Sequence, residues 1–348
     1  MCVCSVSFFR VRLMVFKASW KSLSGRKFRA NFTSSITSWK PTVVVGGGVQ
    51  RHIITNETLL RFASLNGELE KTVRSHREQG LRSILIAAVE HSRTKDEAER
   101  TRRIAEDTIR KFPSEMHALK LSALGATFNE SLCERLTIDV AEAAREVGAS
   151  GLCVDAEEDF LNEQVDAVSL MLMRAMNKNE NNGGKCSDTK NAAVYKTYQM
   201  YRKDSLEQLK RDIATAEREG FVLGAKLVRG AYLNVDRGKG VLFETRKETD
   251  KSFADGLAFA LKSIRESKED NQNSHVKILL ATRNTDNISS ALGYSDDVQF
   301  AQLMGMDDEV TLSLLNKGER VAKYFPYGKF TETLPYLWRR CLERAAFS

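Results

Sequence analysis

The chain has 348 residues, of which 42% are hydrophobic and 28% charged, an ordinary composition for a globular protein of one large or two modest domains. Its net charge of +7 arises from the N-terminal segment, since nine basic and no acidic residues precede Glu57. The rest holds 44 Lys and Arg against 46 Asp and Glu, a balance that argues against a nucleic-acid-binding protein.

The first 50 residues are rich in Arg and Ser, lack acidic residues and contain scattered Phe, Val, Leu and Trp. This composition is typical of a mitochondrial transit peptide, so we predict a transit peptide or unstructured leader over residues 1–50. Arg10, Arg12 and Lys17 interrupt any secretory signal core, and no apolar run is long enough to span a membrane.

Strand-like and helical patterns alternate through the rest of the chain. Residues 51–80 are predicted to form an N-terminal helical segment with Asn56 as its cap. From residue 81 onwards, short apolar runs typical of buried parallel strands alternate with stretches of helical periodicity. The runs occupy residues 82–89, 117–124, 150–156, 192–199, 222–232, 276–282, 298–305 and 320–328.

Eight strand-helix units over residues 81–348 predict an α/β fold, a (β/α)8 TIM barrel. A doubly wound sheet is the alternative, but no GxGxxG motif follows the first run. The polar segment 177–191 is predicted to be a long loop. The six cysteines form no CxxC pair and the five histidines lack ligand spacing, so we expect neither a disulfide framework nor a metal site.

Polar side chains interrupt or follow several of the apolar runs. In (β/α)8 enzymes the catalytic side chains lie at the carboxyl ends of the strands. The candidates there are Lys120, Asp155, Gln199, Lys226, Arg229, Tyr232, Arg283, Asn284 and Tyr324. An interior ion pair or solvent exposure explains any one of them, but repetition on six strands favours a functional site.

The last predicted helix carries Tyr336, Arg339, Arg340 and Glu343 on one face. A solvated charged face is one interpretation of this stripe. The other is an anion site, because paired guanidinium groups suit a carboxylate or a phosphate.

The segment "GAKLVRGAYL" resembles the signature of the proline dehydrogenase family. Further segments match that family in the expected order: "KLSALG", "VDAEE", "TYQMYRKD", "ILLATRN", "QLMGM", "KYFPYG" and "PYLWRRCLE". The resemblance implies a distorted (β/α)8 barrel with FAD as cofactor. It also implies oxidation of L-proline to Δ1-pyrroline-5-carboxylate by hydride transfer to flavin N5, the first step of proline catabolism. Electrons would pass to a quinone, with peripheral contact to the matrix side of the inner mitochondrial membrane.

The resemblance also implies a carboxylate-binding group. Arg339 and Arg340 would bind the carboxylate of proline with help from Lys120. Glu343 would orient an arginine, and Asp155 would support Lys120 and the tyrosines from behind.

A second implied group surrounds the proline ring. Tyr324 and Tyr336 would form the walls of the ring site, Leu303 would supply apolar contact, and Tyr232 would pack beside them. Relatives that act on hydroxyproline tend to have a small residue where Tyr324 stands, so Tyr324 favours proline.

For the cofactor, the resemblance implies a cation near flavin N5 at Lys226 and a ring contact at Gln199. Further flavin contacts would come from Arg229, Ala231, Thr245, Lys247, Thr249, Thr282, Arg283 and Asn284. Arg283 stands where the family usually has histidine, and Arg344 where it usually has asparagine.

Three other functions remain open from the sequence. Hydroxyproline dehydrogenase belongs to the same superfamily. The departures at Arg283 and Arg344 motivate a non-catalytic barrel that binds an acidic metabolite. A lyase acting through Lys120 as a Schiff base is disfavoured, because such a lysine needs a desolvated pocket and Asp155 is predicted nearby.

Overall fold

The computed structural model describes residues 60–65, 67–178, 192–269 and 274–346, with side chains as far as Arg340, and short backbone strands before residue 60. The predicted loop at 177–191 therefore lies almost entirely outside the described residues, as does most of the predicted leader.

Eight parallel strands form a closed barrel, as the sequence predicts. They are β1 (Arg82–Ala87), β2 (Met116–Leu119), β3 (Gly151–Val154), β4 (Val194–Gln199), β5 (Leu223–Val228), β6 (Val276–Leu280), β7 (Val298–Leu303) and β8 (Val321–Gly328). Strands β1 to β7 pair in chain order, and β8 pairs with both β7 and β1, which closes the sheet.

A helix follows each strand around the outside. These helices are α1 (Lys95–Lys111), α2 (Glu130–Glu146), α3 (Asn162–Met176), α4 (Ser205–Glu219), α5 (Arg246–Glu269), α6 (Thr285–Ser290), α7 (Asp308–Asn316) and α8 (Phe330–Ala346). A further helix (Leu69–Glu78) precedes β1, and a short helix (Leu233–Asp236) follows β5. Turns of 3-10 helix occupy Leu121–Leu124 and Asp159–Leu161.

Local sequence sets several helix ends. The side chains of Thr94 and Asn129 accept backbone N–H groups at the first turns of α1 and α2, which satisfies donors that have no partner inside the helix. Helix α4 ends at Gly220 in the left-handed conformation, with φ 72°. Glycine adopts this conformation at little steric cost, which is why it commonly ends a helix.

Two apolar layers hold the barrel together. Side chains such as Ile84, Met116 and Leu279 fill its interior. A larger layer, which includes Leu136, Leu209 and Phe253, packs between the strands and the helices. Polar side chains that face inward near the carboxyl ends of the strands therefore lie above an apolar floor.

The structure corrects three details of the prediction. The helix before the barrel begins at Leu69, because Ser64–Leu65 instead forms a short strand beside β8; Asn56 lies outside the described residues. Strand pairs at 42–45 with 48–51 and at 38–39 with 54–55 fall partly within the predicted unstructured leader, where β-branched valines favour extended backbone. Strand β2 ends at Leu119, so Lys120 follows the strand instead of interrupting it.

Candidate active site

Charged and aromatic side chains converge at the carboxyl-terminal mouth of the barrel. We call the set that lies in mutual contact the mouth cluster: Glu90, Lys120, Asp155, Glu157, Lys226, Tyr232, Tyr324, Tyr336, Arg339 and Arg340. Strands β1, β2, β3, β5 and β8 or the loops after them supply most of these residues, and α8 supplies the last three. The strand ends thus bring together residues that are up to 250 positions apart.

Lys120 is held at the start of the turn after β2. Its Nζ donates to the Tyr232 hydroxyl at 2.8 Å and lies 3.2 Å from Glu90 Oε1. Burial alone would lower the pKa of Lys120, but Tyr232 and Glu157 raise it above its ordinary value. Lys120 is therefore a buried ammonium group, which is unsuited to Schiff-base chemistry.

Asp155, directly after β3, joins two other strands. Its Oδ1 accepts from Lys226 Nζ on β5 at 2.5 Å, and its Oδ2 accepts from the Tyr324 hydroxyl on β8 at 2.5 Å. Burial would raise the pKa of Asp155, but the positive charges of Lys226 and Lys120 hold it below its ordinary value. The same burial and the nearby Asp155 charge raise the pKa of Tyr324, which therefore stays a hydroxyl donor.

The two arginines of α8 point toward the mouth. Arg339 Nη2 pairs with Glu90 Oε2, and Arg340 Nη2 lies 3.4 Å from Glu90 Oε1. Arg340 also donates to the main-chain oxygen of Ala231 at 3.2 Å. Its guanidinium lies over the rings of Tyr232 and Tyr336, at 5.3 and 5.5 Å from their centroids. Tyr336, Arg339 and Arg340 of the last helix thus face inward. Lys120 and the two arginines converge on the carboxylate of Glu90.

The structure gathers most of the residues predicted to contact substrate into this one region. Tyr324 and Tyr336 lie in the interior apolar layer with Ile84 and Ile86. Leu303 ends β7 in register with Tyr324, and its side chain is 46% exposed. The side chain of Glu343 lies outside the described residues.

Lys226, one of the residues predicted to contact the cofactor, belongs to the mouth cluster, and most of the others lie beside it. The Gln199 amide accepts from the Ala231 N–H at 3.1 Å and donates to the Glu157 main-chain oxygen at 3.1 Å. Arg229 pairs with Asp250 of α5 and donates to the Thr282 hydroxyl at 3.3 Å. Asn284 follows Thr282 and caps α6.

The first turn of α5 supplies the rest of that group. Thr245 precedes the helix and exchanges hydrogen bonds with Glu248, while Lys247 is exposed and Thr249 is buried. Arg283 stands apart, because its side chain is 55% exposed and its Nη1 lies 3.7 Å from Asp307 Oδ1, just before α7.

Two buried carboxylates of the mouth cluster, Glu90 and Glu157, were missed by sequence reasoning. Both follow a strand within three residues, at "AVE" after β1 and at "DAEED" after β3. Their position just after a strand was therefore the one feature of the sequence that could have indicated a place in the site. An acidic residue there looks the same whether its loop turns outward or inward, so sequence alone does not separate the two cases.

The described cysteines provide no reactive thiol at the mouth. Cys153 lies in the barrel interior, and burial raises its pKa to about 12, so it is a neutral thiol at physiological pH. Within the described ranges, no group of His, Cys, Asp and Glu side chains is arranged to hold a metal ion. The helices of those ranges also lack the length and apolar character needed to span a bilayer.

Comparison with known proteins identifies relatives for most of the chain. A family model described as "Proline dehydrogenase" matches residues 69–348. "Proline dehydrogenase 1, mitochondrial" from Caenorhabditis elegans is 33% identical over 224 residues, which cover 61% of this chain and 34% of that protein. "Hydroxyproline dehydrogenase" from Rattus norvegicus is 34% identical over 242 residues, which cover 65% of this chain and 50% of that protein. The chain thus spans about a third to a half of these relatives' length.

Solved structures share the fold. Proline utilization A from Bdellovibrio bacteriovorus superimposes with a TM-score of 0.68 at 17% identity, over 82% of this chain and 32% of that chain. This likeness shows the barrel architecture alone. Because the family model matches most of the chain, including every barrel strand and α8, the chain belongs to the proline dehydrogenase family.

Proposed function

We propose that this barrel oxidises L-proline to Δ1-pyrroline-5-carboxylate, the first step of proline catabolism. The observation that carries the proposal is the convergence of Lys120, Arg339 and Arg340 on a single carboxylate, that of Glu90, beside a wall of tyrosines. Charged donors of this kind bind a carboxylate ligand strongly. Membership of the proline dehydrogenase family supports the same activity.

Each part of the mouth cluster has a role in this proposal. Arg339, Arg340 and Lys120 bind the carboxylate of proline, and Tyr232, Tyr324, Tyr336 and Leu303 enclose its ring. Asp155 holds the Tyr324 hydroxyl in place through the 2.5 Å hydrogen bond. Fixing the ring in one orientation converts the oxidation into an effectively intramolecular step.

FAD is the cofactor that we propose for the neighbouring group. The donor chemistry fits a flavin dinucleotide: Arg229, Thr282 and the first turn of α5 meet beside the mouth, and the amino end of a long helix favours phosphate. In this proposal Thr245, Lys247, Thr249, Arg283 and Asn284 contact the dinucleotide, while Gln199, Ala231 and Lys226 lie against the flavin ring. When bound, FAD supplies the hydride acceptor that amino-acid side chains lack.

The proposed setting is the mitochondrion, on the matrix side of the inner membrane, with a quinone as electron acceptor. The relatives named as mitochondrial support the organelle. The composition of residues 1–50 supports it independently. Quinone and membrane contact follow from the family resemblance.

Hydroxyproline oxidation is a second candidate, because this chain is as similar to hydroxyproline dehydrogenases as to proline dehydrogenases. Tyr324 argues against it. The ring of Tyr324 is nearly buried, and its hydroxyl is tied to Asp155. An added ring hydroxyl would meet this side chain.

Turnover of L-proline and of trans-4-hydroxy-L-proline by FAD-loaded protein, measured with the same dye acceptor, tests the proposal. We expect L-proline to have the higher kcat/KM, and Tyr324→Ser to shift the ratio toward hydroxyproline. Faster turnover of hydroxyproline by the wild-type protein would select the second candidate. Binding of carboxylates without turnover of either compound would instead favour a non-catalytic metabolite-binding barrel.

A further inference from the structure

We propose that Glu157 is a positioning residue that sets the direction of the hydrogen bonds in the carboxylate site, an inference that rests on the proposed function. The side chain of Glu157 accepts from Ser122 and Tyr232, whereas Arg339 and Arg340 converge on Glu90. Glu157 acts through Tyr232, which donates to Glu157 and accepts from Lys120.

The carboxylate of Glu157 is completely buried and accepts three hydrogen bonds. Its Oε1 accepts from the Ser122 backbone N–H at 3.0 Å and from the Ser122 hydroxyl at 2.8 Å. Its Oε2 accepts from the Tyr232 hydroxyl at 2.9 Å. Buried carboxylates survive in proteins only with such donors, and here the donors come from the loops after β2 and β5.

An ionised carboxylate can only accept hydrogen bonds, and this fixes the direction of its neighbours. Tyr232 has one hydroxyl proton and donates it to Glu157. The Tyr232 oxygen therefore presents lone pairs to Lys120, whose Nζ donates to it at 2.8 Å. Lys120 keeps its remaining N–H groups for a carboxylate at the mouth, which is Glu90 in this structure, at 3.2 Å.

The main chain of Glu157 adds a second connection. Its carbonyl oxygen accepts from Gln199 at the end of β4, and Gln199 accepts from the Ala231 N–H. The Ala231 carbonyl oxygen in turn accepts from Arg340. Side chain and main chain together tie four successive barrel loops to the cations that would bind the substrate carboxylate.

The neutral isostere Glu157→Gln tests this inference, because it keeps the size of the side chain and changes its polarity. If its amide nitrogen faced Ser122, it would meet the backbone N–H, which is also a donor. If it faced Tyr232, the tyrosine hydroxyl would have to accept from it and turn its own proton elsewhere, which changes the hydrogen-bond direction at Lys120. Ligand binding should weaken by about tenfold to a hundredfold, which is typical of losing a hydrogen bond to a charged group. The kcat for L-proline should change less than threefold, because oxidation occurs at the ring carbon across the nitrogen from the carboxylate-bearing carbon.

The FAD-loaded protein and its variants would be titrated calorimetrically with tetrahydrofuran-2-carboxylate. This compound retains the ring and carboxylate of proline, but oxygen replaces the nitrogen and prevents turnover. Steady-state KM and kcat for L-proline would be measured on the same preparations. Glu163→Gln, an exposed acid-to-amide change on α3, is the matched control and should leave the Kd, KM and kcat unchanged.

Two further variants separate the proposed role of Glu157 from an effect on folding. Ser122→Ala removes one donor to Glu157 but leaves the backbone N–H, so it should raise the Kd by about threefold. In a Tyr232→Phe background the link to Lys120 is already absent, and Glu157→Gln should then add less than it does in the wild type. If Glu157→Gln does not fold, the Ser122→Ala result decides alone.

An unchanged Kd in folded Glu157→Gln, or in Ser122→Ala when Glu157→Gln does not fold, would overturn the inference and leave the proposed function intact. A parallel loss of kcat and thermal stability without a change in KM or Kd would assign Glu157 a purely structural role and also overturn it. Wild-type protein that neither binds the analogue nor oxidises proline would instead contradict the proposed function, and the inference with it.

Discussion

Two strand lysines are buried on opposite sides of the barrel wall: Lys226 in the mouth cluster and Lys196 outside the barrel. Both have an aspartate and a tyrosine as neighbours, but the ratio of positive to negative groups around them differs. Each is almost fully buried and pairs with an aspartate, beside a tyrosine that donates to the same aspartate. Lys226 faces the barrel interior. Lys196 faces outward, where its Nζ lies 2.7 Å from both Asp212 of α4 and Asp166 of α3. We call Lys196, Tyr198, Asp166 and Asp212 the outer cluster.

The two clusters differ in the sign of their excess charge. The outer cluster sets one cation against two carboxylates, whereas the mouth cluster sets Lys120, Lys226, Arg339 and Arg340 against three. The pKa values of the aspartates differ in the same sense as the excess charge. Lys226 and Lys120 hold the pKa of Asp155 below its ordinary value. Burial raises the pKa of Asp166, and Lys196 offsets this only in part. Burial of charge is common to both clusters, so we propose that an excess of inward-facing cations is what marks a ligand site.

Lys196→Met should produce the largest effect on stability. It leaves the carboxylate of Asp212 buried without its cation, and breaking a buried ion pair typically costs about 3–5 kcal/mol in the free energy of unfolding. The KM for L-proline should stay within about twofold of the wild type, because the outer cluster faces away from the mouth. Denaturant unfolding and steady-state kinetics measure the two quantities.

Lys262→Met is the control for that change, since Lys262 forms an exposed pair with Glu266 on α5. It should cost less than about 1 kcal/mol. A large rise in the proline KM of Lys196→Met would contradict the separation of the two clusters.

Arg340→Ala should give the opposite pattern. Losing a charged donor to the substrate carboxylate should lower kcat/KM for L-proline by about a hundredfold, or about 2.7 kcal/mol at 1.36 kcal/mol per tenfold. The free energy of unfolding should change less than in Lys196→Met, because Glu90 keeps Lys120 and Arg339 as partners. Arg174→Ala, which removes an exposed arginine paired with Glu219, should leave kcat/KM unchanged.

The two tyrosines permit a smaller, matched test. Tyr324→Phe removes the hydrogen bond to Asp155 and should lower kcat/KM for L-proline by about tenfold. Tyr198→Phe removes the 2.6 Å hydrogen bond to Asp212 and should lower the free energy of unfolding by about 1 kcal/mol with normal kinetics. Equal kinetic losses in the two variants would show that the hydroxyl at Tyr324 has no special role.

Asp166→Asn should have the smallest effect. Because the folded protein raises the pKa of Asp166 above its ordinary 3.8, the favourable contribution of this group is present below pH 3.8 and is lost as pH rises through the folded pKa. The free energy of unfolding of the variant, relative to that of the wild type, should therefore increase as the pH rises from 4 to 7. Denaturant unfolding at both pH values measures this, and a loss at pH 7 as large as that of Lys196→Met would contradict it.

The sequence predicted the barrel well because each buried strand is a short apolar run that polar helices separate. Only the family resemblance predicted that Arg339 and Arg340 of α8 face inward. The same spacing of arginines would occur if that face of the helix were exposed to solvent. The strand pattern alone does not distinguish Lys196 from Lys226, because the face that a lysine takes depends on strand register; the family resemblance is what singled out Lys226. In register, Lys226 lies beside Leu279 of the interior layer, whereas Lys196 lies beside Val154 and Ala225 of the outer layer.

The sequence could not indicate Glu90 as a site residue for a related reason. Its partners on α8 lie 250 residues away, and only closure of the barrel brings the first and last units together. The strand Ser64–Leu65 has too few residues to show any periodicity, which is why a helix was predicted across it.

The absorption spectrum of purified protein, before and after anaerobic addition of L-proline, tests most directly whether this barrel oxidises proline. We predict an oxidised flavin spectrum that L-proline bleaches, with Arg340→Ala needing about a hundredfold more proline for the same rate of bleaching. Protein that stays colourless after FAD is added, or a flavin spectrum that saturating L-proline leaves unchanged, would contradict the account.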